Sequence, residues 1–147
     1  ELELLYPEHE VKHKMVHNDS HKFESGFVGL EIPKNNSIML GSLSGTKLGV
    51  WVAHGEGKFS FPYEEKEYNV IAKYNYDGYP ANPNGSPYSV AGVCSKDGRH
   101  LAMMPHPERA IFPWQCGYYP NDRKENDQVT PWIEAFVNAR KWIETHA

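Results

Sequence analysis

Cysteine is nearly absent from this 147-residue chain, which carries only Cys94 and Cys116. Two thiols cannot build a disulfide framework or a four-ligand zinc cluster, so a reducing, cytoplasmic setting is expected. No run approaches the roughly 18 apolar residues of a membrane span, and no membrane partner is expected. The opening Glu1-Leu2-Glu3-Leu4-Leu5-Tyr6 has neither the basic start nor the apolar stretch of a secretory signal. Basic charge is also short: 15 Lys and Arg stand against 19 Asp and Glu, a formal net charge of −4. Binding a phosphate backbone needs clustered cations, so no nucleic-acid partner is expected. Gly-x-Ser-x-Gly and a phosphate-cradling P-loop are both missing. Aromatic residues are plentiful, at 13% of the chain. That share argues against disorder and for a packed core. The length suits about one domain.

His9, His13, His17 and His21 recur every four residues. On a helix they would share one face, a tempting metal ladder. Asn18-Asp19-Ser20 is a turn cluster that breaks such a helix, and no metal is expected. From residue 26 the pattern turns to strands. Gly26-Phe27-Val28-Gly29-Leu30-Glu31-Ile32 and Ser37-Ile38-Met39-Leu40 are candidates. Leu48-Gly49-Val50-Trp51-Val52-Ala53 reads as a strand buried on both faces. Val70-Ile71-Ala72-Lys73-Tyr74 is another strand. Residues 88–94 and 100–104 flank Asp97-Gly98 as a hairpin. The spacing then predicts one long helix, capped by Thr130 with Pro131 in its first position. Trp132, Ile133, Phe136, Val137 and Ile143 supply its core-facing stripe, with Arg140 as the polar exception.

The sharpest chemistry lies in Met104-Pro105-His106-Pro107-Glu108-Arg109. Two prolines force an extended chain around His106. In an extended chain residues two apart point the same way, so His106 and Glu108 are aimed together. A carboxylate beside imidazole orients the ring and favours imidazolium. Spacing alone does not separate a catalytic pair from a structural one, the commoner use. A rival pair, His54 and Glu56, sits among glycines in His54-Gly55-Glu56-Gly57. Neither cysteine has the small flanking residues of a nucleophile elbow, so both are expected to be ordinary thiols. Asn82-Pro83-Asn84-Gly85-Ser86-Pro87 is a turn-rich loop whose amides could hold a polar small molecule.

Four segments occur in one order: Asn18-Asp19-Ser20-His21-Lys22-Phe23-Glu24, His54-Gly55-Glu56-Gly57, Tyr79-Pro80-Ala81-Asn82-Pro83-Asn84-Gly85-Ser86, and Met103-Met104-Pro105-His106-Pro107-Glu108-Arg109. Together they resemble the class I glutamine amidotransferase domain of the phosphoribosylformylglycinamidine synthase family, in its long single-chain form. The closing Pro131-Trp132, with Phe136 and Asn138-Ala139-Arg140, is similar to the end of that form. The resemblance implies an α/β, flavodoxin-like fold, strand- and loop-rich here, with a C-terminal helix. Residues 1–147 would be the C-terminal portion of one glutaminase domain, with the nucleophile elbow ahead of Glu1.

The activity implied is a glutaminase half-reaction in purine biosynthesis. A cysteine attacks glutamine, a histidine shuttles protons and a glutamate holds the histidine. In this chain His106 and Glu108 match the last two. Ser20, His21 and Asn84 would border the glutamine pocket. Ammonia would pass to an ATP-dependent synthase domain, part of the same long chain. The resemblance puts no cofactor in this segment, and ATP and magnesium in the synthase domain. The isolated chain is then expected to be inactive. The alternative is a non-catalytic interaction module, with 105–109 a rigid turn and the aromatic loop 112–119 set against a partner.

Overall fold

The computed structural model describes residues 2–147. Seven strands are present among them: β1 (Lys14–Val16), β2 (Glu24–Glu31), β3 (Lys47–His54), β4 (Lys58–Ser60), β5 (Asn69–Tyr74), β6 (Val90–Cys94) and β7 (Leu101–Met103). Five of them form one sheet in the order β3-β2-β5-β6-β7, with antiparallel neighbours throughout. β1 and β4 make a separate antiparallel pair. Two helices follow, α1 (Asn121–Lys124) and α2 (Ile133–His146). The strand- and loop-rich α/β arrangement with its closing helix is the one expected from the sequence.

The longest ladder joins β2 to β3 and sets Val28 opposite Val50 and Leu30 opposite Leu48. Leu30, Val50 and Val52 are fully buried on one face. β6 is buried along its whole length, as its unbroken run of small and apolar residues requires. Asp97-Gly98 turns β6 into β7, and Gly98 takes φ +73°, a conformation open to glycine at little steric cost.

Four expectations need correction. Residues 37–40 form turns, not a strand. The Ser37 carbonyl accepts the Gly41 N–H at 2.8 Å, and Leu40 enters the core from that turn. β3 is an outer strand of the sheet, not one buried on both faces. Val50, Val52 and His54 are buried, while the residues between them are half-exposed. The Thr130 hydroxyl donates to the Ala110 carbonyl, so it does not cap the helix, which starts at Ile133.

The helix face is also rotated from the expected one. Trp132 is buried and its indole N–H donates to the Gly49 carbonyl at 2.8 Å. That anchor turns Ala135 and Asn138 inward, and the Asn138 amide reaches the Met39 carbonyl at 3.1 Å. Phe136 and Ile143 are left exposed.

Candidate functional site

β7 ends at Met103, and the chain then crosses to the outer side of β3. There the His106 N–H donates to the Trp51 carbonyl at 2.8 Å. Pro105 is buried, and Pro107–Arg109 form a single 3₁₀ turn. The extended path predicted by the prolines therefore stops at His106. The turn, not an extended chain, brings the pair together: His106 Nδ1 lies 2.7 Å from Glu108 Oε1. A carboxylate can only accept, so Nδ1 carries the proton of this bond. That leaves Nε2 as the free basic nitrogen. The Arg109 guanidinium stands 3.8 Å from the same carboxylate oxygen. His106 is partly shielded while Glu108 is largely open to solvent.

The rival pair is parted. The Glu56 carboxylate turns to His17 at 3.4 Å on the surface. His54 is buried and its ring faces Asn18. Asn18 is itself fully buried and ties its own loop, 18–22, to the turn 54–57. Its side-chain amide donates to the carbonyls of His54 at 2.7 Å and Lys22 at 2.9 Å. Its carbonyl oxygen accepts the Gly57 N–H at 3.0 Å and lies 3.2 Å from His54 Nδ1. Spacing in the sequence gives no sign of this hub, because its partners lie up to 39 residues away.

Loops 18–22 and 82–86 do meet. The Asp19 N–H donates to the Asn84 carbonyl at 3.1 Å. Gly85 holds φ +77°, and a Cβ there would come within 2.1 Å of the Asp19 carboxylate, so glycine is required on both counts. Beside this contact lies a cavity of about 750 Å³ lined by Ser20, Asp77, Tyr79, Asn82, Ser86 and others. The Ser20 hydroxyl is buried without a partner. His21 is exposed at φ +55°. Asn84 spends its side chain internally: it donates to the Tyr74 hydroxyl and accepts from the Ser86 N–H and hydroxyl. His106 and Glu108 are not among the residues lining this cavity.

Burial pushes the Cys94 thiol up to about 11 and the Cys116 thiol above its usual range. Neither supplies a ready thiolate at neutral pH. The spaced histidines are dispersed: His13 is buried among Tyr6, His9, Phe61 and Tyr68, whereas His17 and His21 lie at the surface. Among the described residues no three His, Cys, Asp or Glu side chains are grouped to hold a metal ion. No helix among them is long and apolar enough to cross a membrane.

Burial also lowers the pKa of His13 and of His54 below the ordinary histidine value. Both therefore take up a proton less readily in the fold than in the unfolded chain, which protonates them near pH 6.5. As pH falls through that value the unfolded state binds more protons, so stability declines. Urea midpoints are expected to hold above about pH 7 and to drop as pH falls below about 6.5. His13→Phe, which cannot take a proton, should flatten part of that drop. Equal pH slopes for the parent and the variant would remove His13 from the account.

Residues 2–143 match the CobB/CobQ-like glutamine amidotransferase domain, and the chain belongs to that family. Among full-length relatives, a probable chloroplastic/mitochondrial phosphoribosylformylglycinamidine synthase of Arabidopsis thaliana is 43% identical over 145 residues, covering 90% of this chain and 10% of the relative. The Homo sapiens phosphoribosylformylglycinamidine synthase is 42% identical over 138 residues, covering 86% of this chain and 10% of the relative. The chain thus spans about a tenth of the length of these curated relatives. In fold it is similar to a chain in the structure of PurLQS from Thermotoga maritima. The TM-score is 0.69 at 24% identity, over 97% of this chain and 58% of that one.

Proposed function

We propose that this chain supplies the acid–base half of a glutaminase within a phosphoribosylformylglycinamidine synthase of purine biosynthesis. The observation that carries the reading is the His106–Glu108 bond of 2.7 Å, which leaves Nε2 of His106 unengaged. The relatives' names support the rest. A cysteine thiolate from another part of the full enzyme attacks the glutamine carboxamide. His106 Nε2 holds the proton taken from that cysteine's thiol and gives it to the departing ammonia as the C–N bond breaks, and water then splits the thioester to release glutamate. Glu108 steadies the ring in its tautomer and stabilises the imidazolium. The backbone bond to Trp51 fixes where this happens.

Ser20, His21 and Asn84 border the glutamine pocket in this reading. Ser20 offers the unengaged hydroxyl, and Asn84 holds the loop through Ser86. Ammonia passes to a synthase domain of the same long chain, where ATP and magnesium act. The 147 residues alone lack a thiolate suited to the attack, because burial pushes both thiols up. They are expected to release no glutamate above the level of the same chain carrying His106→Ala. Measured turnover well above that control would sink the division of labour proposed here.

The interaction-module reading rests on one observation: Phe112 and Trp114 stack at 5.9 Å, and Trp114 is 75% exposed. Under it, full-length turnover survives the loss of His106.

A further inference from the structure

The Asn18 hub fixes more than backbone. Its amide orientation is set from both ends, with Nδ2 donating to two carbonyls and Oδ1 accepting the Gly57 N–H. Oδ1 can only accept, so the proton of His54 sits on Nδ1. His54 Nε2 is then a bare lone pair. It is buried in a residue 4% exposed, and no group among the described residues donates to it.

Directly across the β2–β3 ladder from His54 stands Glu24. Facing residues in an antiparallel pair rise from the same side of the sheet, about 5 Å apart at Cβ. Glu24 Oε1 is also buried without a donor. Two acceptors therefore face one another with no proton to share. Each such buried orphan is costly unless a donor fills it.

The next position on that face is Gly26, opposite Val52. A Cβ at Gly26 would meet nothing within 4 Å. A cavity of about 350 Å³ lies along this face, and Glu24, Gly26, Val28 and Val52 help to line it.

We propose that His54 Nε2 and Glu24 Oε1 together bind a small nitrogen hydrogen-bond donor, ammonia in its neutral or protonated form. The source of that ammonia rests on the glutaminase reading above; the acceptor site itself does not. Ammonia offers N–H bonds to both atoms at once. A carboxylate or carbonyl ligand offers only lone pairs and is refused. The site would hold the nitrogen on the Glu24 face of the strand pair, beside the cavity that Glu24 and Gly26 help to line.

The test has two parts. In the full chain labelled with ¹⁵N-histidine, long-range ¹H–¹⁵N spectra should place the His54 proton on Nδ1. Ammonium chloride should then shift Nε2 saturably, and tetramethylammonium chloride at equal ionic strength should not. Glu24→Gln puts an amide donor beside Nε2 and should abolish the response, with the other histidine signals reporting that the fold is kept. A proton on Nε2, or an equal shift with tetramethylammonium, overturns the site. If Glu24→Gln does not fold, the tautomer and the salt comparison in the parent chain still decide.

In the full-length enzyme, Glu24→Gln should lower the ratio of aminated product to glutamate by about ten-fold, the scale of one lost hydrogen bond to a charged group. A proportional fall of both products overturns a role in ammonia transfer. Glutamate release that survives His106→Ala would remove the glutaminase reading while leaving the ammonium titration to stand by itself.

Discussion

Replacing His106 by alanine in the full-length enzyme is expected to lower glutamate formation by about 10² to 10⁴-fold, the usual contribution of a positioned acid–base group. The loss should fall on the chemical step and not on folding. Alanine keeps the N–H that bonds Trp51, and Pro105 and Pro107 still shape the chain on either side. The imidazole is only partly buried, so its removal leaves little cavity. Single-turnover glutamate release together with a thermal melt separates the two effects. Glu108→Gln should give a smaller loss, since an amide oxygen can still accept from Nδ1 but carries no charge to stabilise imidazolium. A His54→Ala variant that loses the chemical step while His106→Ala keeps it would exchange the roles of the two rings.

Asn18→Ala is expected to cost about 3–5 kcal/mol of stability, among the larger values for a single substitution. Four groups would lose their partner: the carbonyls of His54 and Lys22, the Gly57 N–H, and His54 Nδ1. Leaving a buried polar group unpaired costs about 1–3 kcal/mol each, and the losses overlap because they share one site. Asn18→Asp keeps the accepting oxygen but not the donating nitrogen, and should fall between. Urea unfolding at pH 7.5 measures both. A cost for Asn18→Ala under about 1 kcal/mol would mean that water replaces the amide, and the hub would not be structural.

The sheet was legible wherever apolar residues ran together and a turn dipeptide closed them. β2, β3, β5 and the β6–β7 hairpin were all readable on that basis. Ile38-Met39-Leu40 was misleading because three apolar residues can enter a core from a turn as well as from a strand, and the Gly41 that follows them suits the end of either. β1 and β4 went unread: three residues are too few to show a period. The terminal helix was visible, but its buried face was set by one tertiary bond, from Trp132 to Gly49, that periodicity cannot contain.

The candidate site divides in the same way. His106 and Glu108 are two residues apart, and proline restricts so few conformations that their meeting could be anticipated, though by way of a turn. His54 and Glu56 have the same spacing without that restriction, and they separate. Glu24 faces His54 through strand register and Asn18 reaches it by side-chain hydrogen bonds from a loop, and no local pattern encodes either meeting.

The peptide nitrogen of residue 106, not its side chain, moors this corner of the molecule to the outer strand. Whatever side chain occupies that position is therefore delivered to the same spot. A descendant could exchange the ring, fall silent as a catalyst and still present an unaltered outline to its neighbours, so shape alone cannot tell a working copy of this domain from a retired one.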